Sequence, residues 1–220
     1  MICNVIATGS KGNAVLLGSS ILLDCGVPYK KLEPYVSRLR LVLLTHRHSD
    51  HFNPATIRRL HRERPALRFG CCEWLVQYLV DAGVPAKCID VYFPDEVYHY
   101  GAGTSVSPFW LAHDVANCGY RIMYADGKNA LYATDTGSLD GVSAPGYDLY
   151  MIEGNHQEAE LAERIMRKKE AGEFAYEKRV ATTHLSRESA DAWLAWNAGP
   201  NSKVVYLHQH IEEGKDNEFL

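Results

Sequence analysis

Apolar residues fall along the chain in short runs separated by Gly-containing turns, and these runs alternate with stretches of helical periodicity. Segments 2–7, 14–17 and 21–24 read as three short strands. The turn between the first two, Gly9-Ser10-Lys11-Gly12-Asn13, is rich in residues that tolerate positive φ. The pattern predicts a helix over 28–39 leading into a strand at 41–44. Asn53-Pro54 reads as an N-cap followed by proline at the first helical position, with the helix running to about Glu63. A strand is expected at 68–71, then a helix over 73–82 closed by Gly83 and Pro85. Residues 88–133 are strand-rich, with turns at 101–103 and Asp126-Gly127. Residues 149–153 form another apolar strand, and 157–169 a helix with a charged face. Ser186-Arg187-Glu188-Ser189 opens a helix containing Trp193 and Trp196, and 203–207 is the last strand.

The order is strands, a β/α mixture, strands, and a β/α mixture again. It predicts two similar halves, each placing helices outside a sheet. No repeat, low-complexity tract or long Pro/Gly/Ser linker interrupts the 220 residues, so one domain over 1–220 is expected. His, Asp and Glu recur at the ends of the predicted strands, where sites in layered α/β folds gather.

The formal charge of −4 is not the footprint of a protein that coats nucleic acid nonspecifically, although it leaves room for a local basic groove. The six cysteines include no C-x-x-C pair, and Cys71-Cys72 reads as strand-end packing. The first residues lack a charged segment followed by an apolar one, so no signal peptide is expected. No apolar run reaches the roughly 20 residues that span a bilayer. A cytoplasmic protein with reduced thiols and no membrane partner is the expectation.

The densest chemistry is Thr45-His46-Arg47-His48-Ser49-Asp50-His51, directly after the apolar run 41–44. Imidazole and carboxylate bind divalent metals. Helical ligand pairs are spaced i, i+4. Here the spacing is i, i+2, i+4, i+5, which suits a loop curled around metal between strand and helix. Such a loop can direct His46 and His48 to one ion and Asp50 and His51 to a second.

T-H-x-H-x-D-H after an apolar strand resembles the signature of the metallo-β-lactamase superfamily of metallohydrolases. Asp24-Cys25-Gly26 matches the acidic turn of that family's early hairpin. His113, Asp135 in Ala133-Thr134-Asp135-Thr136-Gly137, and His208 after residues 204–207 match its later ligands in order. The resemblance implies an α/β fold, a four-layer αββα sandwich of two mixed sheets packed face to face with helices outside. It also implies two divalent ions, Zn or Mn or else Fe. His46, His48 and His113 would hold the first, Asp50, His51 and His208 the second, and Asp135 would bridge them. His210 competes with His208, which is favoured because it directly follows the strand. His61 and His99 read as surface residues.

Glu153 ends a strand, and His184 lies in Thr183-His184-Leu185-Ser186 before a helix. They resemble the Glu/His pair of ribonuclease-Z-like members, in which the His meets the scissile phosphate. The plainer reading is an N-capped helix and an unrelated core Glu. The turn at 9–13, Asn155-His156, Gly119-Tyr120 and the segment 176–186 resemble a branch containing double-strand DNA exonucleases. The long arm of transfer-RNA-processing members is absent.

These features imply a binuclear metal-dependent phosphodiesterase, a nuclease acting on DNA more than RNA through a metal-bridging hydroxide. Asp50, Glu153 and His184 would be catalytic, and Lys11, Asn13, Asn155 and Ser186 are candidate substrate contacts. Lys11, Arg47, Arg58, Arg179 and Arg187 are candidate backbone-binding cations or simply a solvated surface. The competing expectations are hydrolysis of a small ester, thioester or cyclic nucleotide, and a non-catalytic nucleotide-binding protein on the same fold. A di-iron redox site is a weaker competitor, since Arg47 stands where it would need a carboxylate.

Overall fold

The computed structural model describes residues 2–209; His210 lies outside them. Two six-stranded mixed sheets form the centre. The first runs in sequence order through β1 (Cys3–Ala7), β2 (Ala14–Leu17), β3 (Ile21–Leu23), β4 (Leu41–Leu44), β5 (Arg68–Cys72) and β6 (Ile89–Tyr92). β1, β2 and β3 pair antiparallel, and β3 to β6 are parallel. The second runs through β7 (Tyr98–Tyr100), β8 (Thr104–Leu111), β9 (Asn117–Met123), β10 (Asn129–Ala133), β11 (Leu149–Glu153) and β12 (Lys203–Leu207). It is antiparallel up to β10 and parallel from β10 to β12. The two halves expected from the element order are these two sheets.

The layering follows from strand alternation. Val15, Leu17, Leu23, Leu43, Ala130, Tyr132 and Met151 face the core between the sheets. Their neighbours Leu16, Leu22, Val42 and Leu44 face an outer core under α1 (Tyr29–Leu32), α2 (Pro54–Glu63) and α3 (Val76–Asp81). On the other side Leu131, Ala133, Tyr150 and Ile152 pack with Ala190 and Leu194 of α6 (Arg187–Asn197). Between β11 and α6 come α4 (Glu158–Glu170) and α5 (Glu177–Thr183). Strands buried on both faces explain why the predicted strands read as continuous apolar runs. The four-layer α/β sandwich is the expected fold.

Several local expectations change. The helix over 28–39 breaks after Leu32, and only a 3-10 turn at Val36–Arg38 follows. Pro34 lacks an N–H and cannot continue the helical ladder. Residues Glu73–Leu75 are a 3-10 turn rather than α-helix. The α5 helix was not anticipated, because Val180, Thr182 and Thr183 are weak helix formers. Cys71 and Cys72 are free and buried and face opposite cores, as strand alternation requires. Trp193 packs inward, whereas Trp196 is 90% exposed. No helix among the described residues is long and apolar enough to cross a membrane.

Candidate metal centre and active-site cleft

The site forms where parallel strands end side by side. Ala133 pairs with Ile152, and Glu153 with Leu207, so the residues at the ends of β10, β11 and β12 stand together. Asp135, Glu153 and His208 occupy those positions. In the other sheet Leu23 pairs with Leu43, so the turn after β3 brings Asp24 beside Thr45 and the histidine loop after β4. His113 reaches the same edge from the connection between β8 and β9.

Three residues here take left-handed backbone conformations: Asp24 (φ 57°), Asp135 (φ 55°) and His208 (φ 52°). Such strain persists only where surroundings hold it. The Asp24 carboxylate accepts from Thr45 N (3.0 Å), Thr45 Oγ1, Tyr132 OH (2.8 Å) and His51 Nδ1 (2.7 Å). The Asn117 amide donates to the carbonyls of Thr134 (3.0 Å) and Asp135 (2.7 Å), which pins that turn. Thr8 Oγ1 accepts from His208 N. Gly26 lets the histidine loop approach: a Cβ there would lie 1.7 Å from the Asp50 carbonyl oxygen.

Three overlapping sets of donor atoms converge: His46, His48, His113 and Asp135; Asp50, His51, Asp135 and His208; and Asp135, Glu153, His184 and His208, the atoms of each set lying within 4.8 Å of one another. The first two are the sets anticipated from the sequence. His46 Nε2 is 3.2 Å from His48 Nδ1, which is 3.3 Å from His113 Nε2. Asp135 Oδ2 lies 3.1 Å from His51 Nε2 and 3.4 Å from His46 Nε2. His208 Nε2 is 3.4 Å from Asp50 Oδ2 and 3.6 Å from Asp135 Oδ1. The opposite ring nitrogens are anchored outside the cluster, with His46 Nδ1 on Thr45 Oγ1, His51 Nδ1 on Asp24 and His113 Nδ1 on the Thr183 carbonyl. Imidazole nitrogens turned towards one another around a carboxylate, each ring held from behind, make a donor set suited to divalent cations. The set contains N and O and no thiolate.

Charge in the centre is tightly balanced. Burial holds His46 down at about 4. Burial opposes charge on His51 too, but Asp135 and Asp24 outweigh it and raise that ring well above its ordinary value. Burial of His208 is likewise overcome, by Asp50, Glu153 and Asp135, which push it up to about 10. Burial would raise the Asp135 carboxyl, yet His51 and His46 hold it well below the usual carboxylate range.

Beside the centre, Glu153 is fully buried and its Oε1 lies 2.6 Å from His184 Nδ1. Glu153 Oε2 accepts from Thr136 N (2.8 Å) and Leu185 N (3.3 Å). Burial acts against its charge, but His184 and His208 keep the carboxyl below its ordinary value. The His184 ring stacks on His208 with centroids 5.0 Å apart and planes 6° from parallel. The His184 ring lines a cleft of about 260 Å³ together with Asp50, Asp135, Tyr176 and Arg179.

The candidate substrate contacts are placed differently from one another. Asn13 is only 2% exposed, and its amide donates to the Gly9 and Asp50 carbonyls and meets His51 Nε2 at 2.8 Å, so it braces the histidine loop. The Asn155 amide nitrogen lies 3.0 Å from His208 Nδ1 and 2.8 Å from its carbonyl. Ser186 caps α6, accepting from Ser189 N and donating to Glu158. Lys11 is exposed on the turn, where its neighbour Ser10 lines the cleft. Arg47 bonds Tyr78 OH, Arg58 the Ala82 carbonyl and Arg187 Asp191. Arg179 pairs with Asp114, whose other oxygen is 3.1 Å from His113 Nε2. His156 is buried with Nδ1 unpartnered.

Sequence reasoning did not single out Asn117, Asp114, Ser10 or Tyr176. A polar Asn opening the apolar strand β9 is a usable signal. Asp114 directly follows His113, while Ser10 and Tyr176 belong to the turn at 9–13 and the segment 176–186, which tertiary packing brings to the cleft.

The Beta-lactamase superfamily domain matches this chain over residues 20–209. Exodeoxyribonuclease YycJ of Bacillus anthracis is 24% identical over 167 residues, 70% of this chain and 62% of that protein. The chain therefore spans less than two thirds of that relative's length. The metallo-beta-lactamase fold protein YhfI of Bacillus subtilis has a TM-score of 0.68 at 16% identity, covering 94% of this chain and 85% of that one. The human short form of tRNase Z gives 0.67 at 15% identity, covering 94% and 92%. At those identities the two structures speak for the fold alone. With the family matched from β3 through β12, on a fold whose members work through divalent metal ions, the chain belongs to the beta-lactamase superfamily of hydrolases.

Proposed function

We propose that the protein is a metal-dependent phosphodiesterase acting on nucleic acid, with DNA as the substrate. His46, His48, His113 and Asp135 would hold one divalent ion, and Asp50, His51, His208 and Asp135 a second, Zn or Mn suiting the donor set best. Bound there, two such ions would acidify water and neutralise charge on phosphoryl oxygens.

The protein's own part in the reaction centres on His184. Glu153 fixes the ring from behind through Nδ1, and the stack on His208 fixes its plane. Nε2 is then positioned to give a proton to the departing sugar oxygen. A nucleotide alkoxide is a poor leaving group, so protonation matters more for DNA than for an activated ester. The Glu153–His184 pair is the observation that carries the phosphodiester reading. The similarity to an exodeoxyribonuclease supports DNA.

The test compares end-labelled linear duplex DNA, single strands, RNA and bis-p-nitrophenyl phosphate, with Mn and with Zn. DNA should be cleaved, and Asp135→Ala should abolish cleavage while circular dichroism stays that of the wild type. Metal-dependent turnover retained in Asp135→Ala would overturn the assignment. So would inertness towards every nucleic acid alongside turnover of a small ester or thioester.

A further inference from the structure

A second cleft, of about 230 Å³, adjoins the one over Asp135. The two share Ser10, Tyr176, Val180, His184 and His208, so they form one trough passing the stacked His184 and His208 rings. Its far part is lined by Arg164 and Glu177, which neither the metal centre nor the Glu153–His184 pair uses. We infer that this trough holds a single-stranded DNA end, with the phosphate next to the scissile one against Arg164 and its base stacked on Tyr176. The inference rests on the phosphodiesterase reading above.

Three observations converge on it. Arg164 Nε is buried and has no hydrogen-bond partner, although it belongs to a permanently charged group in a cleft beside the candidate reaction centre. A buried donor without a partner is uncommon, and guanidinium groups suit phosphate. Tyr176 is half exposed at the junction of both clefts, with Lys168 Nζ 4.2 Å from its ring centroid. An aromatic ring backed by a cation is a platform on which any base can stack. Finally, the segment from Arg164 to Arg179 carries Arg164, Arg167, Lys168, Lys169, Lys178 and Arg179 against three glutamates, in a chain whose net charge is −4. It is a local basic element with Phe174, 87% exposed, beside Tyr176.

Glu177 identifies the occupant further. Lys168 holds its Oε1, while Oε2 is buried and unpartnered in the same region as Arg164. A bare anion would meet an unpartnered donor and an unpartnered acceptor together and could satisfy only the first. A nucleotide offers phosphate oxygens to Arg164 and N–H groups of its base edge to Glu177. Stacking on Tyr176 requires a base face free of its duplex neighbour, so the strand here is unpaired.

The test uses the metal-loaded protein and a hydrolysis-resistant phosphorothioate oligothymidylate, with fluorescence anisotropy against a blunt hairpin duplex as comparison. The wild type should prefer the single strand. Tyr176→Ala should weaken single-strand binding about tenfold or more and collapse that preference. Tyr176→Trp, which keeps a stacking face, should retain both, and it keeps the test decisive if the alanine variant does not fold. Arg164→Gln should reduce the slope of log affinity against log salt by about 0.7. Unchanged single-strand affinity in Tyr176→Ala and Arg164→Gln overturns the inference, as does Tyr176→Trp binding as weakly as Tyr176→Ala. A wild type that neither binds nor cleaves DNA brings down the phosphodiesterase reading as well. A wild type that cleaves DNA, with Tyr176→Ala matching its kcat/KM and strand preference, brings down the trough alone.

Discussion

Glu153→Gln isolates the contribution of a single charge. The change is nearly isosteric, and the side chain is clamped by the Thr136 and Leu185 amides on Oε2, so the amide oxygen will take that position. The new NH2 then faces His184 Nδ1, where the carboxylate oxygen stood at 2.6 Å. A donor in that place forces Nδ1 to accept, and the ring loses both its tautomer and its counter-charge. Two unit charges about 4 Å apart interact by about 4 kcal/mol at an effective dielectric of 20. The His184 side chain is 17% exposed to the cleft, and water there reduces the figure. A loss of about 2–3 kcal/mol remains, or about 30- to 150-fold in kcat, near the lower end of a general acid's whole contribution of roughly 100- to 10,000-fold. The assay compares DNA with bis-p-nitrophenyl phosphate, whose p-nitrophenolate leaves without a proton. DNA cleavage should fall by that factor while the activated ester changes little, with both metals still bound by elemental analysis. An equal fall on both substrates, or kcat on DNA within about threefold of wild type, would refute the acid role of His184.

Other consequences concern the metal centre and its frame. Asp24→Asn keeps the left-handed backbone accessible but removes the carboxylate behind His51, so affinity for the second metal should fall about 10- to 100-fold in a chelator-competition titration. Metal binding should release a proton: His208 is raised to about 10, so its ring carries an extra proton at neutral pH that ligation expels. Calorimetry at pH 7.5 in buffers of different ionisation enthalpy should show this, and zero release would contradict it. For His208 the folded value lies above the ordinary 6.5, so its contribution to the metal-free protein is complete below pH 6.5 and lost as pH rises through about 10, while metal affinity climbs over the same window. Gly26→Ala would drive a methyl group into the Asp50 carbonyl and should cost at least about 3 kcal/mol in thermal or denaturant unfolding, with loss of metal uptake. A variant of wild-type stability would show that the loop can move aside.

The fold was legible because most strands are apolar on both faces and end at turn residues. The sequence boundaries at 14–17, 41–44, 149–153 and 203–207 coincide with β2, β4, β11 and β12. The helices were harder. Pro34 cut one in the middle, and α5 forms from a β-branched sequence that only packing against α4 makes helical. In the site, residues with ligand chemistry stand out because imidazole and carboxylate at strand ends are rare. The residues that brace them stand out less: Asn117 is a polar residue opening an apolar strand, Thr45 only heads the histidine motif, and Tyr132 looks like an ordinary strand residue until the sheets face each other. Asn13 and Ser186 show the converse. They are polar residues beside motifs, and their side chains are taken up by the Gly9–Asn13 turn and the α6 cap.

The division between frame and function is sharpest at the three left-handed residues. Asp24, Asp135 and His208 each follow a strand, and continuing in extended geometry would send their side chains alternately into one core or the other. The turn in φ instead swings all three to the shared edge. Each is then held by a partner from elsewhere in the chain: Thr45 for Asp24, Asn117 for Asp135, and Thr8 with Asn155 for His208. The strain is thus opposed by hydrogen bonds to residues distant in sequence, of which Thr8–His208 and Tyr132–Asp24 join the two sheets. The two bonds that cross between the sheets tie formation of the centre to assembly of the sandwich. Replacing a bracing residue should therefore disturb metal affinity more than its distance from the ligand atoms suggests, and Asp24 is the place where that coupling is strongest.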